Sequence, residues 1–422
     1  MPEVAVVGGG LAGTEAAWQL AERGHRVLLF EMRPLKSDEL TNAHGLLKAE
    51  LRELGSLLLR VAQEARIPAG AALAVDRQLF SRLVSAAIET QPNIEVRREE
   101  VKELPRPPAI IASGPLTSAG LFDAIRRRLG SDGLYFFDAI SPIVAADSID
   151  ETQAFRASRY GKGQDDAYLN CPLDREQYEA LYRALIGGEI HQAREWDRVP
   201  YFEGCLPIEV LAARDRDALR FGPLKPVGLR DPRTGKLPYA VVQLRQEDRA
   251  ARMWGLVGFQ TRLRYAGQRR AIQLIPALRA AEILRYGQVH RNSYINFPAL
   301  LTAHGSPAGE PALVFAGQLT GVEGYIESAA SGLLAAINID RLVRGLEPTL
   351  PPATTMLGGL LRYLREADPG NFQPMNANFG LLDPLLAPQR RKPERRRSLA
   401  VRAVHEMRAW LAGCEVAAGA GR

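Results

Sequence analysis

The stretch Glu3-Val-Ala-Val-Val-Gly8-Gly9-Gly10-Leu11-Ala12-Gly13, followed by Thr14–Gly24 and then by Arg26-Val-Leu-Leu-Phe-Glu31-Met-Arg-Pro34, decides the fold. An apolar run ends in G-x-G-x-x-G, a helical stretch follows, and a second apolar run ends in an acid. That order is the one a dinucleotide-binding βαβ unit requires. Gly8 allows the tight turn, Gly10 lets the backbone approach a pyrophosphate, and Gly13 lets the helix pack close to the strand. Gly9, Leu11 and Ala12 complete the loop, whose helix N-terminus offers N–H groups and a positive dipole end to phosphates. Glu31 stands where a carboxylate accepts from ribose hydroxyls, and Arg33 is a second candidate beside it. The bland alternative is a glycine-rich turn with no ligand, but three adjacent glycines weaken the local backbone and so need a reason.

A second α/β signature returns late. Pro311-Ala-Leu-Val-Phe315-Ala-Gly317-Gln318-Leu-Thr-Gly321-Val-Glu323-Gly324-Tyr325 leads into a small-residue helix, Ile326-Glu-Ser-Ala-Ala-Ser-Gly332-Leu-Leu-Ala-Ala-Ile. A strand, a glycine turn and a helix late in the chain close over the flavin end of FAD in two-dinucleotide flavoproteins. Gly317, Gln318, Gly324 and Tyr325 are the candidates there, and FAD is favoured over NAD as resident cofactor. A plain βα unit packed on the sheet is the alternative.

Between these ends the chain changes character. Residues 42–66 show helical periodicity through Leu46, Leu47, Leu51, Leu54, Leu58 and Val61. A second amphipathic helix spans 76–91. Residues 94–104 read as sheet, Ala109–Pro115 as a buried strand ending in a tight turn, and 116–129 as a helix. From about residue 134 to Pro298 aromatics, mixed strands and irregular turns take over. The expected fold class is α/β: a FAD-binding Rossmann-like domain of the two-dinucleotide flavoprotein type with a smaller inserted α+β domain. The boundaries expected are 1–134 and 300–422 for the FAD-binding domain and 135–299 for the insertion.

The 422 residues suffice for two or three domains, and 46% hydrophobic with 24% charged residues is ordinary for a globular protein. No apolar run is long enough to span a membrane and no secretory leader opens the chain, so a cytoplasmic location and no membrane partner are expected. Three scattered cysteines, Cys171, Cys205 and Cys414, argue against a disulfide framework or a cysteine zinc site. His44, His191 and His290 lack metal-ligand spacing, and no metal is expected. The net charge of +6 suits a polyanionic partner.

Cys205, in Tyr201-Phe-Glu-Gly-Cys205-Leu-Pro-Ile-Glu209, sits at a turn, where reactive groups are displayed. A small buried hydrophobe is the alternative. Leu219-Arg-Phe-Gly-Pro-Leu-Lys225-Pro-Val-Gly228 gathers glycine, proline and two cations in a short loop, suited to an anionic ligand or to a rigid turn. Arg262, Arg264, Arg269 and Arg270 surround Tyr265, which suits phosphate contact and base stacking or a solvated helix face. The run Gln389 to Arg397 is the strongest polyanion signal. Arg390, Arg391, Lys392, Arg395, Arg396 and Arg397 are candidate contacts to RNA or DNA that release counterions from a phosphate backbone without reading sequence, the alternative being a solvated charge run.

Taken together, these residues resemble the folate- and FAD-dependent tRNA (uracil-5-)-methyltransferases of bacteria. The resemblance runs nearly end to end: Val6–Trp18, Phe30–Pro34, Pro68–Arg77, Tyr201–Glu209, Arg220–Leu229, Phe315–Ser328, Thr354–Gly358 and Asn371–Asn376. It implies that reduced FAD, refilled by NAD(P)H, takes a one-carbon unit from 5,10-methylenetetrahydrofolate and delivers it to C5 of uridine 54 in the tRNA T loop. Uracil C5 is a poor nucleophile until a thiolate adds at C6, and the resemblance assigns that family cysteine to Cys205. It also implies that Tyr325 stacks on the folate ring.

One departure stands out. Family members carry a longer stretch between Met-Arg-Pro and Thr-Asn-Ala, with a second functional cysteine in Cys-Ser-Asn-Ser-Leu; here only Leu35–Leu40 separate Pro34 from Thr41. Either these 422 residues omit a loop that the whole protein carries, which is the expectation, or this homologue lacks it. A catalytically silent FAD-containing RNA-binding protein suits the second case. The paralogous flavoprotein that modifies wobble uridine shares the scaffold, but its C-terminal helical region is much longer.

Overall fold

Strand β1 (Glu3–Val7), helix α1 (Leu11–Glu22) and strand β2 (Arg26–Phe30) form the opening unit in the computed structural model. The structure describes residues 2–31, 45–68, 73–130, 134–139, 141–161, 167–190, 206–248, 250–287, 289–385 and 391–419. Helices α2 (Gly45–Glu53), α3 (Leu57–Glu64) and α4 (Arg77–Thr90) follow, then β3 (Ile94–Arg97), β4 (Ala109–Ile111) and α5 (Ala119–Leu129). Late in the chain come β5 (Leu313–Phe315), α6 (Tyr325–Val343), α7 (Met356–Glu366) and α8 (Lys392–Gly419).

The five strands form one sheet in the order β5-β4-β1-β2-β3, and every pair is parallel. Val6 lies between Leu29 of β2 and Ile110 of β4, and Ile110 pairs on with Val314 of β5. All four are buried, as expected of a parallel sheet covered on both faces. Strand order reverses at β1, so the crevice beyond the carboxyl ends of β1 and β4 is the topological switch point where such sheets bind ligands.

The periodicity over 42–66 predicts one helix, but the chain makes two. Gly55, at φ +70°, ends α2 in the left-handed region, and the Ser56 hydroxyl accepts from Leu59 N–H at 3.2 Å to start α3. Leucine spacing alone does not register such a break.

The chain divides into two compact units. The first comprises Met1–Glu64, Leu79–Leu134 and Ser293–Arg422, and holds the parallel sheet. The second comprises Ala65–Gln78 and Tyr135–Asn292, so it takes in a short segment beyond the 135–299 span read from sequence. That segment forms a small antiparallel hairpin, Arg66–Ile67 with Ala74–Val75, and Arg77 after it pairs with buried Glu247 at 2.8 Å. The second unit is an α+β arrangement around a six-stranded sheet of Ile283–Arg285, Ile143–Ala145, Met253–Leu256, Ala240–Gln246, Tyr168–Leu173 and Phe155–Arg156, in that order and antiparallel. Helix Arg175–Ile186 starts from an Asp174–Gln177 capping box and packs Tyr178, Leu181 and Leu185 onto a core with Leu169, Val242 and Trp254.

Candidate functional site

The glycine loop lies at the carboxyl end of β1. Gly8 has φ +104°, and a Cβ there would fall 2.4 Å from the Ala112 carbonyl oxygen, so glycine is required by both conformation and space. A Cβ on Gly13 would fall 1.8 Å from the Gly8 carbonyl oxygen, which is why α1 starts so close to β1. Gly10 differs, for a Cβ there would meet nothing within 4 Å. It is the N-cap of α1 and no side chain caps that end, so the first turn of N–H groups faces open space beside Gly10. The Glu31 carboxylate reaches back from the end of β2 and accepts from Gly9 N–H at 2.6 Å. A cleft at this end is lined by Val7, Gly8, Phe30, Glu31, Ser113 and Thr117, among others. The sequence predicts a buried strand and tight turn over Ala109–Pro115 but does not by itself place Ser113 in the cleft. The available signal is that Ser113-Gly-Pro follows a buried strand, which the fold sets beside β1.

The late glycine turn meets the early loop. Gly317, at φ +77°, donates its N–H to Ser331 Oγ at 2.6 Å, and a Cβ on it would sit 2.8 Å from the Ala12 methyl group. Gln318 Nε2 donates to Glu323 at 2.7 Å, and Gly324 at φ +115° precedes the uncapped start of α6. The Asn371–Asn376 string holds this turn: Glu323 N–H donates to Met375 O at 2.8 Å, and Met375 N–H donates to Gly321 O at 2.9 Å. Phe372 packs so tightly on Gly321 that a Cβ there would meet its ring at 2.5 Å. Buried Glu327 accepts from Ala377 N–H at 2.7 Å. Tyr325, at the head of α6, remains 38% exposed.

These features fit FAD. A polyanionic pyrophosphate needs N–H groups and close backbone approach, which uncapped α1 and open Gly10 provide. A ribose needs a carboxylate at the end of β2, where Glu31 stands.

The other sequence candidates are placed unevenly. Cys205, Arg33 and Arg390 lie outside the described residues, as does the segment 32–44 that contains the shortened stretch. Just past Cys205 the chain is firmly held: Ile208 N–H donates to Gln260 O at 2.7 Å, and buried Glu209 accepts from Thr261 Oγ1 at 2.8 Å and Arg262 N–H at 3.0 Å. Burial pushes the Glu209 carboxyl above its usual range. Cys171 is fully buried on a central strand and its thiol is pushed up to about 12, which makes it an inert core residue. Cys414 lies half-buried on α8.

Arg391, Arg395, Arg396 and Arg397 are exposed at the start of α8, with Arg391 3.6 Å from Glu394 and Arg396 over the Phe379 ring at 5.3 Å; the Lys392 side chain lies outside the described residues. In the second unit Arg262 is committed to Glu209, whereas exposed Tyr265 stacks on Tyr286 at 4.5 Å and Arg269 donates to the Tyr286 hydroxyl at 2.8 Å. Among the described residues no cluster of His, Cys, Asp or Glu has the makings of a metal site, and no helix is long and apolar enough to cross a membrane.

A parallel sheet with this strand order, two glycine turns at one end of it and an inserted α+β unit define a flavoprotein with the FAD-binding Rossmann-like fold. Solved structures agree on the fold: GidA of Aquifex aeolicus superposes with a TM-score of 0.68 over 86% of this chain and 67% of its own, at 18% identity. The family model "Glucose inhibited division protein A" matches residues 3–347. Among curated proteins, the methylenetetrahydrofolate--tRNA-(uracil-5-)-methyltransferase TrmFO of Desulforudis audaxviator is 52% identical over 97% of this chain and 98% of its own length. The TrmFO of Geobacter sulfurreducens is also 52% identical, over 97% of this chain and 99% of its own. The chain belongs to the TrmFO family of tRNA (uracil-5-)-methyltransferases, within the wider glucose-inhibited division protein A family. Both alignments extend over 430 positions, more than the 422 residues of this chain, so these relatives have positions that it lacks.

Proposed function

We propose that this protein methylates C5 of uridine 54 in the T loop of tRNA, with 5,10-methylenetetrahydrofolate as one-carbon donor and NAD(P)H as the source of electrons. The observation that carries this reading is near-full-length identity to TrmFO proteins in a chain whose two glycine turns meet at one end of one parallel sheet. Bound in reduced form, FAD supplies the reducing equivalents and the route for the one-carbon unit. Gly8–Gly13, Glu31 and Arg33 hold its adenosine diphosphate end, while Gly317, Gln318 and Gly324 cover the flavin end. Tyr325, partly exposed at the head of α6, offers a ring face to the folate.

Cys205 is the nucleophilic thiol in this account. Its thiolate adds to uracil C6, C5 gains enolate character and bonds the incoming methylene carbon, loss of the C5 proton expels the nitrogen that carried this carbon and leaves an exocyclic methylene, and a hydride equivalent drawn from NAD(P)H saturates it to methyl as the thiolate leaves C6. The arginines at 390–397, with Lys392, hold the phosphate backbone without reading sequence. A cytoplasmic site of action follows from a tRNA substrate.

The test is transfer of isotope from methylene-labelled tetrahydrofolate to transcribed tRNA. Wild-type protein should label tRNA, and Cys205→Ala should keep yellow FAD while labelling falls at least 100-fold. Full labelling by the variant removes Cys205 from the mechanism. A second reading, a silent FAD-containing RNA-binding protein, is favoured by the short Pro34–Thr41 span and by the positions that relatives have and this chain lacks. That protein would bind tRNA and label nothing.

A further inference from the structure

The loop Leu219–Gly228 is not used by the nucleotide site, yet hydrogen bonds from Arg159 and Tyr160 brace it. Phe221 ends the short helix Ala218–Phe221 and is 82% exposed; Val227 is 52% and Tyr160 is 59% exposed. Lone exposed apolar side chains need no explanation, but Tyr160 is bonded to this loop beside exposed Val227, and Phe221 stands on the same loop.

The bracing is specific. The Arg159 guanidinium donates to Lys225 O at 3.0 Å, to Val227 O, and to Gln243 Oε1 at 2.9 Å. Tyr160 N–H donates to Gly228 O at 3.0 Å. Tyr160 itself sits at φ +60°, ψ +24°, a left-handed conformation that aromatic residues rarely adopt. Gly228 is also left-handed, at φ +86°, and a Cβ on it would come within 2.8 Å of the Tyr160 ring. The fold thus holds an exposed ring in an unfavourable backbone conformation, as functional sites often do.

The charges nearby sort into two kinds. Arg220 is committed to Asp217 and to the Tyr239 ring and carbonyl, and Arg233 to Asp231. Lys225 is half-buried and has no acidic partner among the described residues.

We propose that Phe221 and Tyr160 form a base-stacking platform for unpaired nucleotides of the tRNA, with Lys225 on the adjoining phosphate. This rests on tRNA being the substrate. Rings and a cation on an open surface are what single-stranded nucleic acid requires. A folate, by contrast, needs a concave pocket that covers most of its area, which a ring left 82% exposed does not provide.

The experiment is fluorescence anisotropy of labelled, transcribed tRNA with the holoenzyme. Phe221→Ser removes one ring. Tyr160→Gly removes the other and also relieves the left-handed strain, so lost binding there is not lost folding. Each variant should raise Kd about 5- to 150-fold, the span of ~1–3 kcal/mol per stacked base. Lys225→Gln should lower the slope of log Kd against log salt by about 1. The flavin absorbance and the KM for methylenetetrahydrofolate should not move. Parental Kd values in all three variants would overturn the platform while leaving the tRNA reading intact. A raised KM for folate with unchanged tRNA Kd would assign the loop to folate and also overturn it. Failure of the parent protein to bind tRNA would remove the tRNA reading itself, and the platform with it.

Discussion

Gly332 of α6 lies directly against Ala12 of α1: a Cβ on Gly332 would fall 2.1 Å from the Ala12 carbonyl oxygen. Residues 320 positions apart in the chain thus share one close contact, and among the described residues these two helices make the most extensive helix–helix contact. Through it the late glycine turn is held over the early one, and Gly317 reaches the Ala12 methyl group.

Gly332→Ala weighs two opposed effects. Alanine in a helix interior gains about 1 kcal/mol over glycine. Overpacking against an unyielding neighbour costs about 1–3 kcal/mol or more, and here the neighbour is backbone. The clash wins, so the variant should melt several degrees lower and retain less flavin on purification. Thermal melts and the ratio of absorbance at 450 and 280 nm check both. An unchanged melting temperature with full flavin would mean that the helices do not need this contact.

Glu31 accepts from Gly9 N–H, which sets its carboxylate at the glycine loop. Hydrogen bonds to a charged group contribute about 1.5–3 kcal/mol, so Glu31→Ala should weaken FAD binding roughly 10- to 100-fold. Titration of apoprotein with FAD, followed by flavin fluorescence, measures this. Equal affinity would place the ribose elsewhere.

Glu50 is buried on α2 and accepts from Met356 N–H at 2.6 Å and Leu357 N–H at 3.0 Å, at the start of α7. Burial raises its carboxyl from 4.5 to about 7, against the opposing pull of those two donors. Because the folded-state value is raised, the folded protein holds a proton that the unfolded chain releases between about pH 4.5 and 7. The stabilisation is complete below that window and is lost as pH rises through 7, on the order of 3 kcal/mol in all. The melting temperature should therefore fall from pH 5 to pH 8 less steeply in Glu50→Gln than in the parent. Parallel slopes in melts across that range would exclude Glu50 as the source.

What was legible in sequence was what short-range backbone chemistry dictates. Gly8, Gly10 and Gly13 announce a turn, an approach and a close packing within six residues, and Gly317–Gly324 does the same at the other end. The glutamates that organise the first unit were not legible. Glu15 accepts from Ser56 and from Leu57 and Leu58 N–H, capping a helix 41 residues away, and Glu50 caps one more than 300 residues away. Nothing local distinguishes such a residue from a solvated acid on an amphipathic helix. The break at Gly55 is hidden for a related reason: leucines continue on both sides of it, and part of what holds the start of the next helix is Glu15, 41 residues earlier. Tyr160 gave no signal at all, because its left-handed backbone is held by hydrogen bonds from Arg159 and Tyr160 to Lys225 and Gly228, more than 60 residues further along the chain.

The most direct test of the central claim maps the modified nucleotide. Transcribed tRNA is incubated with the protein, FAD, methylenetetrahydrofolate and NADPH, then digested and analysed by mass spectrometry, beside a transcript with cytidine at position 54. The account predicts one added methyl group, in the T-loop fragment at uridine 54, and none in the substituted transcript. Modification in the anticodon loop, or tRNA bound by a flavin-loaded protein and left unmethylated, would contradict it.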